Sequence, residues 1–279
     1  MKILFLVCAI LLASPVVSSI KTTEVASYQV EYELEGSGDV IILLEAGGSA
    51  GLQDWDPIYE QLTKYAKVLR YSRIGNGNSS PVKKNYSSEE YAEEAHQLLA
   101  ALNIEQKVVY IAHSYGAYVA RVFAAKYPQK ISALMLIEPA SEHDVDIMRQ
   151  IDLVKAEKEI AQVKLDDMKN GISNQYLDFW AKRPLPDYPQ IPDVPVTVIA
   201  SIKTYEKPPL LFFTDEARQM WGQLHKEWAE AFPQGKAVLT DKSYHFPQND
   251  EPEMVVKEIL LLLDRAAQKI SNHPPSKER

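Results

Sequence analysis

Cysteine is the residue this chain most conspicuously lacks: one in 279 positions, Cys8, inside the apolar N-terminal stretch. A lone thiol closes no intramolecular disulfide and supplies too few thiolates for a cysteine-based metal site. Cys8 also lacks the small residues that should precede a lipidated cysteine. Basic charge is short as well, with 30 Lys and Arg against 38 Asp and Glu, a formal net charge of -8 and a pI near 5.4. That balance argues against broad nucleic-acid binding, which needs a basic face. Beyond the N-terminus no apolar run is long enough to span a bilayer. No HExxH or comparable ligand spacing suggests a catalytic metal, and no cofactor is expected.

What the chain does have is apolar mass: 46% hydrophobic residues with 24% charged, enough for a substantial core in one large α/β domain. Its first residues, MKILFLVCAILLASPVVSS, place Lys2 before an apolar core from Ile3 to Leu12 and then small residues. This is the three-part layout of a secretory signal peptide spanning 1–19, cleaved after Ser19, so the expectation is a secreted or periplasmic protein without stable membrane insertion once the leader is gone.

The expected mature domain, 20–279, alternates strand and helix patterns. Tyr28, Val30, Tyr32 and Leu34 share one face of a strand; Val40–Leu44 and Lys67–Tyr71 read as strands. Ser87-Ser88-Glu89-Glu90 fits a capping box ahead of Tyr91, Ala95, Leu98, Leu99 and Leu102 at helical spacing. Val108–Ala112 predicts a strand, Tyr118–Tyr127 a helix closed by Pro128, and Ala133–Ile137 another strand. Val196–Ala200, Ala237–Thr240 and a helix from Pro252 to Lys269 continue the rhythm. Such alternation implies parallel βαβ units in a doubly wound, mostly parallel sheet. The rhythm breaks at about 141–193, where helical patterns over Asp144–Asn170 and Ile172–Ala181 precede RPLPDYPQIPDVP; this predicts a helical cap insertion with a stiff return link.

The chemistry concentrates at VVYIAHSYGAYVARVFAAKYP, Val108 to Pro128. Ser114 stands at a tight strand-to-helix turn, which thrusts its hydroxyl clear of the sheet and sets it beside backbone N–H groups and a helix N-terminus. Close approach of strand and helix demands small residues two positions either side, here Ala112 and Gly116. A literal G-x-S-x-G occurs elsewhere, at Gly47–Gly51 around Ser49, but GLQDWDP separates it from any helix. The direct strand-to-helix context favours Ser114.

The Ser114 turn resembles the nucleophile elbow of the α/β-hydrolase superfamily, with Ala112 in place of the first glycine. The resemblance implies that Ser114 is the nucleophile. By position, Gly48 in the early glycine loop and Tyr115 after the nucleophile would supply the two oxyanion-hole N–H groups. DKSYHFPQNDEPEMV resembles the family's terminal histidine loop and makes His245 the base among six histidines. YSRIGNGNS, Tyr71 to Ser79, resembles the family's D-R-x-G-x-G-x-S stretch with Ser72 replacing aspartate; Arg73 is read there as structural. The acid that orients the histidine is expected at Glu138, which ends a strand, with Glu206 second and Asp215, Asp187 or the absence of an acid as further alternatives.

The resulting expectation is an exported serine hydrolase that cleaves a carboxylic ester of a small-molecule acyl substrate through an acyl-enzyme. Peptidase, amidase or lactonase chemistry on the same fold, and a non-catalytic binding member, are the alternatives. Tyr176, Phe179 and Trp180 in the insertion are candidate pocket contacts.

Overall fold

The computed structural model describes residues 20–82, 84, 86–170 and 190–272. Eight strands form one sheet: β1 (Lys21–Val25), β2 (Tyr28–Glu35), β3 (Ile41–Glu45), β4 (Lys67–Tyr71), β5 (Val108–His113), β6 (Ile131–Ile137), β7 (Val196–Ser201) and β8 (Gly235–Thr240). Their order is β1-β2-β4-β3-β5-β6-β7-β8. The β1–β2 hairpin and the β2–β4 pair are antiparallel, whereas every neighbour from β4 onward is parallel. This is the doubly wound, mostly parallel architecture expected from the sequence.

Alternate residues of the central strands feed two cores. Leu43, Leu69, Tyr110, Ala112, Leu134, Leu136, Val196 and Val198 pack with α2 (Ser88–Ala101) and α3 (Gly116–Lys126). On the other face Ile42, Leu44, Val68, Val109, Ile111, Met135, Ile137 and Ile199 meet α1 (Asp56–Leu62) and a long C-terminal helix, Pro252–Asn272. The period of two along a strand puts consecutive apolar residues into opposite layers, which is why these strands read as unbroken apolar runs. All parallel strands thereby present their carboxyl ends along one edge, where this fold gathers ligands.

Ser87 caps α2 as the sequence implied: its hydroxyl accepts from Glu90 N–H, and Glu90 accepts from Ser87 N–H at 3.0 Å. Two details differ from expectation. The polar edge strand β1 buries only Val25 and carries no alternation to betray it. The pattern over Asp144–Asn170 is two helices, α4 (Asp144–Ile151) and α5 (Leu153–Asn170), broken where Asp152 takes an extended backbone. A further helix, α6 (Asp215–Glu230), precedes β8; Thr214 caps it by accepting from Ala217 N–H. The Ile172–Ala181 pattern, with Tyr176, Phe179 and Trp180, lies outside the described residues, as do Asp187 and the 1–19 leader.

Candidate active site

At the carboxyl end of β5 the chain turns directly into α3, and Ser114 occupies the turn with a φ of 51°. A serine held in the left-handed region costs on the order of 1–3 kcal/mol and persists only where its surroundings fix it. They do so here. Ser114 N–H donates to the Ile137 carbonyl at 3.0 Å, and the Ser114 carbonyl accepts from Ala117 and Ala140, each at 3.0 Å. Gly116 has no room for a side chain: a Cβ there would lie 2.7 Å from the Ala46 carbonyl oxygen and 2.8 Å from that of Glu45. The elbow therefore seats its helix directly on the loop that follows β3.

His245 reaches this turn from the loop after β8. Its Nε2 lies 2.9 Å from Ser114 Oγ, within hydrogen-bond reach. The His245 loop is anchored at both ends. Ser201 Oγ donates to the Ser243 carbonyl at 2.7 Å, Ser243 Oγ donates to Glu251 at 2.8 Å, and Tyr244 N–H donates to Asp250 at 3.2 Å. Burial of the imidazole, then the neighbouring His113 and Arg218, push its pKa well below the ordinary histidine value, with Asp54 opposing. His245 keeps one flank open to solvent, which tempers that depression.

Glu138 is placed differently from the expectation. Its Oε1 is 2.5 Å from Arg218 Nη2 of α6, and its Oε2 accepts from Ser201 N–H at 2.6 Å. Oε1 thus forms a buried ion pair with α6 while Oε2 holds the backbone of β7, tying β6 to both. Burial raises the Glu138 pKa against the pull of Arg218 and of the Ser201 N–H. Among the described residues no carboxylate hydrogen-bonds the His245 ring. Glu206 lies in the loop after β7, and Asp215 opens α6. Arg218, which captures Glu138, sits on α6, the helix that also carries His225.

The loop after β3 completes the surroundings. Gly47 packs against the elbow, where a Cβ would stand 3.0 Å from His113 Nδ1 and 3.5 Å from Ser114 Cβ. Gly48 follows it, and Tyr115 follows Ser114 at the start of α3. Arg73 secures this loop from beneath, donating to the carbonyls of Ala46, at 2.7 Å, and Gly47, and pairing with Glu45. Burial opposes the charge on Arg73, but Glu45 with Tyr71 and Tyr91 outweighs it and raises the pKa. Ser72 accepts from Leu52 N–H at 3.0 Å and donates to the Glu31 carboxylate at 2.7 Å. Arg73 and Ser72 thus hold the loop, as the structural reading of that stretch required.

Ser49 also has a positive φ, 55°, but the chain runs from it into a 3-10 turn at Leu52–Trp55, and His245 is at Ser114 instead. Two residues of the site escaped the sequence reading: His113, taken only as a neighbour of the serine, and Asp54. They pair at 2.9 Å beneath the His245 loop. The available signal was a histidine facing inward at the last position of a buried strand.

A family model described as the alpha/beta hydrolase fold matches residues 39–177. The Bacillus subtilis (strain 168) protein YqjL is 24% identical over 221 residues, covering 79% of this chain and 82% of that protein. Mouse 1-acylglycerol-3-phosphate O-acyltransferase ABHD5 is 27% identical over 112 residues, covering 39% of this chain but only 31% of that protein. Among solved structures, a lipase described as putative from Acinetobacter baumannii AYE superposes with a TM-score of 0.67 at 16% identity, covering 90% of this chain and 92% of that one. The enol-lactonase from Burkholderia xenovorans LB400 gives 0.61 at 19%, with coverages of 88% and 100%. An esterase from Thermogutta terrifontis gives 0.58 at 20%, with coverages of 88% and 97%. Sheet order, helix layers and these matches converge: the chain has the alpha/beta hydrolase fold.

Proposed function

We propose that this protein is a serine hydrolase that cleaves carboxylic esters through an acyl-enzyme on Ser114. One observation carries the reading: His245 Nε2 lies 2.9 Å from the hydroxyl of a serine held at φ 51° on a strand-to-helix turn. A serine hydroxyl is a weak nucleophile at neutral pH, and a neutral imidazole within hydrogen-bond reach can take its proton during attack on the carbonyl carbon. His245 then returns that proton to the leaving alkoxide. In the second half-reaction it activates a water molecule that releases the acid and frees Ser114. The N–H groups of Gly48, which follows Gly47 in the loop packed against the elbow, and of Tyr115, which follows the nucleophile, are assigned to the developing oxyanion. An ester asks least of the site, because an alkoxide departs more readily than an amine.

Glu138 serves in this reading as the buried partner of Arg218 and holds the floor of the site. The 141–193 segment, including α4 and α5, would roof the pocket, and the 1–19 leader would direct export. Labelling with a fluorophosphonate probe tests the chemistry. The expected result is stoichiometric modification at Ser114, lost in Ser114→Ala and retained in Ser49→Ala, together with turnover of p-nitrophenyl acetate. Labelling that survives Ser114→Ala would overturn the proposal.

A further inference from the structure

His113 is 1% exposed, and both of its ring nitrogens have partners that fix where its protons are. Nε2 lies 2.7 Å from the main-chain carbonyl oxygen of His245. A carbonyl carries no proton, so Nε2 must donate. Nδ1 lies 2.9 Å from Asp54 Oδ2. That oxygen already accepts from Gly47 N–H at 2.9 Å, and Asp54 Oδ1 lies 3.2 Å from Gln248 Nε2. Burial alone would raise the Asp54 pKa, but His113, Gly47 and Gln248 together hold it below the ordinary aspartate value. Asp54 is thus an ionised, acceptor-only carboxylate, and Nδ1 must donate as well. A neutral imidazole has one N–H and can satisfy only one of these acceptors.

We propose that His113 is held as an imidazolium with Asp54 as its counter-ion, and that this pair is the positioning device of the site. It grips the His245 loop by its backbone carbonyl and the glycine loop by Gly47 N–H. The inference deepens the serine-hydrolase reading and rests on it for its catalytic consequence. One buried pair ties together the three segments that must stay in register: the end of β5, which carries Ser114; the loop after β3, which carries Gly48; and the loop after β8, which carries His245. The ring that captures Ser114 and the carbonyl that His113 captures belong to the same residue. Loss of the His113 bond therefore releases the base directly.

The charge has a second effect. The His113 and His245 rings are 5.0 Å apart between centroids. A cation at that distance adds to burial in disfavouring a second charge on His245, with Asp54 opposing. Among the described residues Asp54 faces His113 directly, and Glu138, paired with Arg218, acts on it across the edge of β6.

The test uses the full-length chain with nitrogen-15-labelled histidine. Long-range proton–nitrogen correlation should show one histidine with both ring nitrogens protonated at pH 7–8, and Asp54→Asn should convert it to a neutral ring. A His113 ring with one bare nitrogen at pH 7 overturns the proposal. In the same preparations His113→Gln, which keeps a single donating amide, should lower kcat for p-nitrophenyl acetate by about 10²-fold, the scale of an ångström-level misplacement, with little change in KM. It should also move the acid limb of the pH–rate profile upward, because a cation has left His245. His113→Gln that keeps both kcat and the acid limb likewise overturns it. Fluorophosphonate labelling of the wild type separates the two proposals: an unlabelled Ser114 sinks the hydrolase reading, whereas the histidine spectrum reports on His113 alone.

Discussion

Replacing Glu138 by glutamine separates two roles that look alike in the sequence. The side chain keeps its shape and an oxygen for Ser201 N–H, but it loses the charge that faces Arg218. Arg218 is 3% exposed, and its Nη2 also donates to the Ser201 carbonyl, so it cannot swing into solvent without abandoning that bond. Breaking a buried pair by removing one partner costs about 3–5 kcal/mol, since the other charge is left uncompensated. The surviving Ser201 contact favours the lower end, about 3 kcal/mol. For a domain of this size about 1 kcal/mol moves Tm by roughly 2–4 °C, so Glu138→Gln should lower Tm by about 6–12 °C. Glu138→Gln/Arg218→Gln should lose less than the two single losses combined, because the double variant buries no unpaired charge. Calorimetry on the four proteins supplies the stability half. The activity half is ester turnover at 25 °C, normalised to active sites counted by fluorophosphonate labelling. The ion-pair assignment predicts kcat within a few-fold of wild type per labelled site. A histidine-orienting acid predicts a loss of about 10⁴ in kcat. A loss on that scale in folded Glu138→Gln, with Arg218→Gln still active, would refute the assignment and restore Glu138 as the acid.

Three further outcomes follow from the geometry. The acid limb of kcat/KM should lie below pH 6.5, because burial, His113 and Arg218 depress the His245 pKa and its proton-accepting form survives acidification; a limb at or above 6.5, measured with an uncharged ester, contradicts this. His225 is buried with an unpartnered Nε2, and burial, then Arg121, Arg218 and His143, push its pKa down to about 3. The unfolded chain therefore binds a proton near pH 6.5 that the folded chain refuses, so stability present above 6.5 drains away as pH falls toward 3. Tm of His225→Phe should fall less steeply across that window, and parallel Tm curves would count against the argument. Gly116→Ala forces a methyl to within 2.8 Å of two backbone carbonyls, so it should cost about 1–3 kcal/mol of stability and displace the Gly47–Gly48 loop; unchanged Tm and kcat would show that the loop has slack.

The central parallel strands were legible because they are buried on both faces and read as apolar runs, and α2 because Ser87 and Glu90 announce its start. The strand β1 was not, since an edge strand with one buried residue has no period to detect. The Ser114 turn and the His245 loop carry local signatures: a strand, a small residue, a serine and a helix in one case, a histidine before Pro and Glu in the other. Carboxylate partners carry none. Whether Glu138 faces His245 or Arg218 depends on α6, which approaches from 80 positions further along the chain. The same holds for Asp54 and His113, separated by 59 positions and joined only when the loop after β3 folds over the end of β5.

On the serine-hydrolase reading, these placements bear on how the base works. Ordinarily a carboxylate at Nδ1 both orients the histidine and favours its protonated form. Here the two tasks come apart. Orientation comes from His113 through the His245 carbonyl, while burial, then His113 and Arg218, disfavour its protonation against the pull of Asp54. Proton transfer from Ser114 then depends on how fully the negative charge on the substrate oxygen is stabilised, because the imidazolium formed alongside it has little local help. Catalysis at this site should therefore be unusually sensitive to the oxyanion donors. Arg73 points the same way: a fully buried cation clasps the carbonyls of Ala46 and Gly47 and holds the backbone next to Gly48 in place. Arg73→Lys, which keeps the charge but cannot span both carbonyls, should lower kcat more than it raises KM. An equal fall in kcat and rise in KM would place Arg73 in substrate binding and contradict the argument.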